Sequence, residues 1–315
     1  MIKRSGYLFA LVLLGILFIL SLGCQSKPSV VAKDSPPLLA QDVAELNNTN
    51  GKIVAQKLLK INSSLKNETD CYKIEYLSDG LRVVGFVVKP KKVESKLPVI
   101  LFNRGGGLDF GMITRENLIY FSFLASKGYV LLASQYRGND GGEGREEFGG
   151  KDVDDVLNLI PLAKSLPFTD PNRIGMLGFS RGGMMTYLAI KEGAPIRVAA
   201  VVGGLSDLLE FDLEKGKDRM KYMIRILVGP DIEEYRKRSA CDWPERIDVP
   251  VLILHGESDQ VVNVRQAKEL GEKLGKLGKP YQLVIFPKGD HGLNNVHNQR
   301  DKRILEWFEK YLKKE

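Results

Sequence analysis

From residue 97 onward the chain alternates short apolar runs with stretches of helical period, and this alternation limits the possible folds more than any other feature. The apolar runs are "PVILFN", "YVLLASQ", "RIGMLGF", "RVAAVVG", "VPVLILHG" and "YQLVIFP". Helical stretches fall near residues 115–127, 153–165, 182–191, 264–277 and 300–313. Runs that are apolar at nearly every position leave no face for solvent, so the sheet they build must be covered on both sides. Strands separated by stretches long enough to cross over and return parallel supply that cover. The spacing therefore predicts an α/β chain with a mostly parallel central sheet and helices on both faces. Upstream, "YKIEYL" and "LRVVGFVV" flank Ser78-Asp79-Gly80, which predicts a hairpin at the start of the sheet. A helix is expected over residues 52–65, with Ile53, Leu58, Leu59 and Ile61 as its apolar side. The long insert at 205–246 reads as a small helical lid, with Met220, Met223, Ile224 and Leu227 on one side of a helix. That side is suited equally to packing on the sheet edge and to lining a substrate.

In an open sheet of this kind the chemistry collects beyond the carboxyl ends of the strands. The strand "RIGMLGF" runs into Gly178-Phe179-Ser180-Arg181-Gly182-Gly183. The pattern G-x-S-x-G recurs by chance in a chain with 32 glycines, but a strand before it and a helix after it give it weight. In such a nucleophile elbow the serine sits on a strained turn, and glycine is needed two residues to either side to avoid a clash. A serine nucleophile needs a base, and the base needs an orienting acid. There are three histidines. His255 ends a strand ahead of the acid and reads as a packed structural residue, while His297 borders the last helix and reads as a surface group. His291 follows a strand directly, between Asp290 and Gly292, and reads as the base. For the acid, Asp259 in "GESDQVV" is preferred to Asp290, whose side chain would diverge from its neighbour's imidazole, and to Glu257 on the same loop. The order Ser180, Asp259, His291 is that of the α/β-hydrolase fold.

Together "GFSRGG", "HGESDQVV" and "GDHGL" resemble the catalytic domain of prolyl oligopeptidase-type serine peptidases, the group with the dipeptidyl and acylaminoacyl peptidases. The resemblance runs from about residue 79 to the C-terminus and takes in "SDGLRVVGFVVKP", "SQYRGNDGGEG", "EEFGGKDVDDV" and "YRKRS". It implies a catalytic domain over 71–315, with Ser180 as nucleophile, Asp259 as acid and His291 as base. It also implies acyl transfer to water through an acyl-enzyme, on a small peptide or ester, with no metal or cofactor. The large N-terminal β-propeller of the best-known members has no counterpart in the short stretch between Cys24 and the first strand. A carboxylesterase is therefore the alternative reading. A hydrolase-fold binding module is the non-enzymatic one, and a complete set of three residues speaks against it.

The segment "VILFNRGGGLDFG" ends a strand on Asn103 and Arg104 and then places three glycines in a row. Such a turn brings bare backbone N–H groups close to a partner. A nucleotide phosphate fits neither template: G-x-G-x-x-G fails at Phe110, and the P-loop pattern finds Met112 where lysine is required. The loop is instead expected to supply an oxyanion donor, from Gly105 or Gly106, alongside the N–H of Arg181. Arg104 stands where family relatives carry Tyr or His. It can donate to the oxyanion, hold a substrate carboxylate, or turn away into a salt bridge. Arg137 is weighed as a substrate contact against pairing with Glu143 or Asp152, the pairing being preferred.

The N-terminus carries Lys3 and Arg4, an apolar stretch from Tyr7 to Leu20, and then Ser21-Leu22-Gly23-Cys24. That order describes a secretory signal over residues 1–24, with an uncleaved membrane anchor as the alternative. It is similar to the lipobox of bacterial lipoproteins, which implies lipidation of Cys24 and a protein exported to the cell envelope on a membrane anchor. Residues 25–50, rich in Ser, Pro and Asn, read as a tether. Cys71 and Cys241 read as separate buried residues. The net charge of +7, from 46 Lys+Arg against 39 Asp+Glu, is interleaved and not blocked, which argues against a nucleic-acid partner. Oligomeric state is left open.

Overall fold

The computed structural model describes residue 38 and residues 49–313, apart from 215 and 217. The signal at residues 1–24, Cys24 and most of the tether lie outside the described residues. Among the described residues no helix is long and apolar enough to cross a membrane.

The strands β1 (Ile53–Leu59), β2 (Thr69–Ser78) and β3 (Leu81–Pro90) form an antiparallel meander. β3 then pairs antiparallel with β5 (Val130–Ser134). From there β4 (Leu97–Asn103), β6 (Thr169–Phe179), β7 (Val198–Val202), β8 (Val251–Gly256) and β9 (Tyr281–Phe286) continue the sheet in parallel. The strand order is β1-β2-β3-β5-β4-β6-β7-β8-β9. Between β2 and β3, Asp79 and Gly80 both have positive φ, 52° and 80°. Two such residues make the tight turn whose twist matches a two-stranded ribbon.

The helix expected over 52–65 is not there. Residues Ile53–Leu59 form the edge strand β1, paired with β2 from Ile53↔Tyr76 to Leu59↔Cys71. The physical reason is an open edge. β2 presents a row of unpaired N–H and C=O groups, and the segment that follows Gly51 satisfies them with its own backbone. Its side chains decide little, since Val54 to Lys57 are exposed.

Period-two alternation along the inner strands divides the core between two faces. Val99 and Leu101 of β4, Leu132 of β5, Met176 of β6 and Ile253 of β8 belong to one face. Against it pack α2 (Asp152–Leu157), α3 (Leu159–Ser165), α4 (Arg181–Lys191) and α8 (Val264–Lys276). Ile100, Phe102, Leu177, Val202 and Leu254 face the other way, onto α1 (Arg115–Ser126) and α9 (His297–Phe308). The stretch at 153–165 becomes the two helices α2 and α3, broken at Asn158. Pro161 is the cause, because it has no N–H to return to Leu157 and its ring crowds that carbonyl. The insert folds as α5 (Leu208–Leu213), α6 (Asp218–Val228) and α7 (Ile232–Lys237), with two short 3-10 turns after them.

β4 lies between β5 and β6, so the chain steps to one side of β4 and then crosses to the other. That reversal opens a crevice at the carboxyl ends of β4 and β6. Asn103 pairs with Gly178 there, which sets the glycine loop beside Ser180.

Cys71 and Cys241 are free and buried. Burial pushes each thiol up to about 12 from 9.0, with Asp70 adding to the effect at Cys71. We expect Ellman's reagent at pH 8 to leave both unmodified in the native protein and to reach both after denaturation, as mapped on peptides. The folded state holds these two protons more tightly than the unfolded chain. Their contribution to stability is therefore full below pH 9.0 and is lost as pH rises toward 12.

Candidate active site

Ser180 sits between the last residue of β6 and the first of α4 with φ 56° and ψ −125°. A non-glycine residue rarely takes that conformation, and the surroundings must enforce it. The Ser180 N–H donates to Val202 O at 2.9 Å, and its carbonyl accepts from Gly183 N–H at 2.8 Å. The flanking glycines are steric necessities. A Cβ on Gly178 would stand 2.2 Å from Gly182 O, and one on Gly182 would stand 1.9 Å from Asn103 O. With backbone this close on both sides, the turn closes only when both positions are bare.

The loop after β4 passes directly in front of this serine. A Cβ on Gly105 would lie 3.1 Å from Ser180 Cβ and 3.7 Å from Ser180 Oγ. Gly106, at φ 68°, is turned into its own loop against Phe110 O, and its carbonyl accepts from Arg181 Nη1 at 3.0 Å. Gly107 faces α6: a Cβ there would lie 2.9 Å from Met223 Cε. The backbone N–H of Arg181 opens α4 and is one of the first-turn donors that have no partner within a helix. Gly105 and Arg181 thus flank the serine with main chain.

Asp259 and His291 follow the ends of β8 and β9. His291 Nδ1 lies 2.8 Å from Asp259 Oδ2. The other oxygen of Asp259 accepts from Val261 N–H at 2.8 Å and Val262 N–H at 2.9 Å. Burial pushes this carboxyl up, but hydrogen bonds from His255 and His291 outweigh it and hold the group well below the usual carboxylate range. His291 is half-buried, with its side chain 26% exposed. Of the two rival acids, Asp290 turns away to accept from Asn294 N–H at 2.6 Å, and Glu257 is exposed. His297 is exposed at the start of α9. Gly203, at the end of β7, ties the Asp–His pair to the serine turn. A Cβ there would meet His291 O at 2.3 Å, His291 Nδ1 at 3.2 Å and Asp259 Oδ2 at 3.3 Å. The residue before Gly203 is the one whose carbonyl holds Ser180 N–H.

The structure corrects two expectations about arginines. Arg104 is 1% exposed and all its donors are engaged, so it offers nothing to a substrate. Its Nε and Nη2 donate to Gln135 O, Nη1 to Gly105 O at 3.0 Å, and Nη2 also to Leu108 O and Glu146 Oε2. Of the roles weighed for it, turning away into a salt bridge is the one observed. Arg137 does pair, but with Asp155 and Asp79, each at 2.8 Å, and not with Glu143 or Asp152. Glu143 is taken by Arg82, and Asp152 by Arg181.

Sequence reasoning missed Glu146. It is 2% exposed and receives both Arg104 and Arg181, the Leu108 N–H and Asn139 Nδ2. Arg181 is held on its other side by Asp152. Both guanidinium groups also lie over the Tyr136 ring, at 4.9 and 4.8 Å from its centroid. The signal in the sequence was slight: Arg181 directly follows the elbow serine, and "EEFGGKD" supplies the acids that the fold brings to it.

The sheet order and the turn at Ser180 are those of the α/β-hydrolase fold. Residues 117–315 match the prolyl oligopeptidase family. The uncharacterized peptidase YtmA of Bacillus subtilis is 37% identical over 75% of this chain and 92% of its own length. The uncharacterized peptidase YuxL of the same organism is 30% identical over 87% of this chain but 43% of its own length. Among solved structures, Pyrococcus horikoshii acylaminoacyl peptidase superposes with a TM-score of 0.68 at 27% identity, over 79% of this chain and 43% of that one. An acylaminoacyl peptidase in complex with Z-Gly-Gly-Phe-chloromethyl ketone gives 0.68 at 28%, over 79% and 42%. The chain belongs to the prolyl oligopeptidase family and is a serine hydrolase. It spans less than half the length of YuxL and of these two solved peptidases.

Replacing Glu146 with Gln leaves two buried guanidinium groups short of one negative charge. We expect a loss of about 3–5 kcal/mol in unfolding free energy, read as a lower urea midpoint. A midpoint unchanged from wild type would contradict the role given to Glu146.

Proposed function

We propose that Ser180, Asp259 and His291 act as a catalytic triad and that the chain cleaves acyl bonds of small peptides. The observation that carries this is the 2.8 Å contact between His291 Nδ1 and the buried Asp259 carboxylate, packed against Gly203 next to the Val202 carbonyl that holds the Ser180 turn. With Nδ1–H directed at Asp259, the imidazole's Nε2 is left free to act as base. It takes the Ser180 proton as Oγ attacks the carbonyl carbon, and it later gives that proton to the leaving group. Water, deprotonated by the same nitrogen, then attacks the acyl carbon, and that proton passes to Ser180 Oγ as its bond to the acyl group breaks. Asp259 fixes the ring and stabilises its cation. The oxyanion is held by the N–H groups of Arg181 and Gly105, with Gly106 the less suited because it is turned against Phe110.

Peptide substrates are favoured by the names of the relatives, and by a neighbour whose ligand is a peptidyl chloromethyl ketone ending in Phe. Met223 over the glycine loop, with Leu108 and Phe110 exposed at its tip, supplies apolar surface beside the serine. YtmA, matched over 92% of its length, leaves little room in that relative for a propeller. The reading is of a catalytic domain that admits small substrates without such a gate. Labelling with a fluorophosphonate should be lost in Ser180→Ala, and replacing Ser180 or His291 should lower kcat by about 10⁴–10⁶. Labelling that persists in Ser180→Ala would remove Ser180 as nucleophile, and no labelling of wild type would favour a binding module. Hydrolysis of aminoacyl anilides as well as short acyl esters is the expected profile. Activity on esters alone would make the protein a carboxylesterase.

We also propose that the domain works outside the cytoplasm on a lipid carried by Cys24, supported by the basic, apolar and small-residue order of the N-terminus. In a bacterial host, incorporation of labelled palmitate that vanishes in Cys24→Ala is the expected result. Incorporation that survives the substitution would point to another anchor.

A further inference from the structure

Asp259 Oδ2 is shared by two histidines. His291 approaches it from the loop after β9, and His255, the penultimate residue of β8, approaches it from inside the sheet with Nε2 at 3.1 Å. The two rings differ sharply in setting. His255 is wholly buried, whereas His291 reaches solvent. The same Nε2 of His255 lies 2.9 Å from Val262 O. A backbone carbonyl can only accept, so Nε2 carries the proton. Its N–H meets the Val262 carbonyl, and the same nitrogen stands 3.1 Å from the carboxylate oxygen. The other ring nitrogen, Nδ1, is buried and meets no polar partner among the described residues. A proton there would be a buried N–H without an acceptor, which costs free energy, so the tautomer is fixed by the site.

Asp259 Oδ1 accepts from Val261 and Val262 N–H, and Oδ2 meets His291 Nδ1 at 2.8 Å with His255 Nε2 at 3.1 Å on its buried side. The contacts other than that of His291 come from β8 and from the backbone just after Asp259.

We propose that His255 is a positioning residue for the acyl-transfer reaction: its Nε2–H fixes Asp259 Oδ2 in the direction that His291 Nδ1–H requires. This rests on the triad reading above. It goes beyond it by giving a task to a histidine that touches neither substrate nor nucleophile. The donor is the essential feature, so a side chain that returns an N–H to the same place should serve.

The test is the rate of fluorophosphonate labelling of Ser180, resolved into its maximal rate and its half-saturating probe concentration, for His255→Met and His255→Gln. We expect His255→Met to lower the maximal rate about 10- to 100-fold, the loss of one hydrogen bond to a charged group. The half-saturating concentration should stay within about twofold, and His255→Gln, whose amide N–H can reach Asp259, should recover most of the rate. A His255→Met enzyme as fast as wild type overturns the proposal. So does an equal loss in both variants, or a loss that follows the melting temperature. Should His255→Met not fold, His255→Asn replaces it: the shorter amide keeps polarity but cannot reach Asp259, and equal rates for Asn and Gln overturn the proposal. Failure of the triad reading itself is separate, since it appears as labelling that survives Ser180→Ala or an Asp259→Asn enzyme of full rate.

Discussion

Four buried charges, Arg104, Glu146, Arg181 and Asp152, hold the two halves of the site to each other. Their side chains are at most 2% exposed, and two positive charges meet two negative ones. Taking such groups out of water is costly, and the cost is offset only when each has its partners in place. Here the partners come from four places in the chain: the end of β4, the loop before α2, the first turn of α2 and the first turn of α4. Glu146 also takes the Leu108 N–H, so the glycine loop is pinned to the helix that begins at the serine. A single acid thus ties the glycine loop after β4 to the first turn of α4.

Much of the architecture could be read from the sequence because burial on two faces leaves a plain mark. The parallel strands are apolar at nearly every position, and the reversal between β4 and β6 follows from helices that must cover both faces. What could not be read depends on partners far away in sequence. Val54 to Lys57 have neither a strong period nor a strong preference, and an open backbone edge on β2 decided their state. Pro161 was visible, yet the helical period around it was stronger than the single break it causes.

The candidate site was legible as positions, since Ser180, Asp259 and His291 each follow a strand end, and strand ends can be found from apolar runs. The environment of each side chain was not. Arg104 looked like a group aimed at a ligand because it precedes three glycines. Its acceptors on Gln135 and Glu146 are 31 and 42 residues away, and only the folded sheet brings them near. His255 was read as packing, which its burial agrees with. Its contact with Asp259 is invisible to any pattern, because a residue four positions back is adjacent only when the intervening loop turns sharply.

The floor of the crevice consists of main chain touching main chain. Gly182 meets Asn103 O, Gly178 meets Gly182 O, and Gly203 meets His291 O, all at separations that leave no room for a methyl group. A surface of that kind has no adjustable part: any side chain added to it displaces a strand or a helix instead of reshaping a wall. The insert is different, since side chains and not main chain form its surface. There α5 to α7 carry Leu213, Tyr222, Ile226 and Ile232 exposed to solvent, and Met223 is the side chain placed against the glycine loop. A side chain on those helices can change without displacing any strand of this floor.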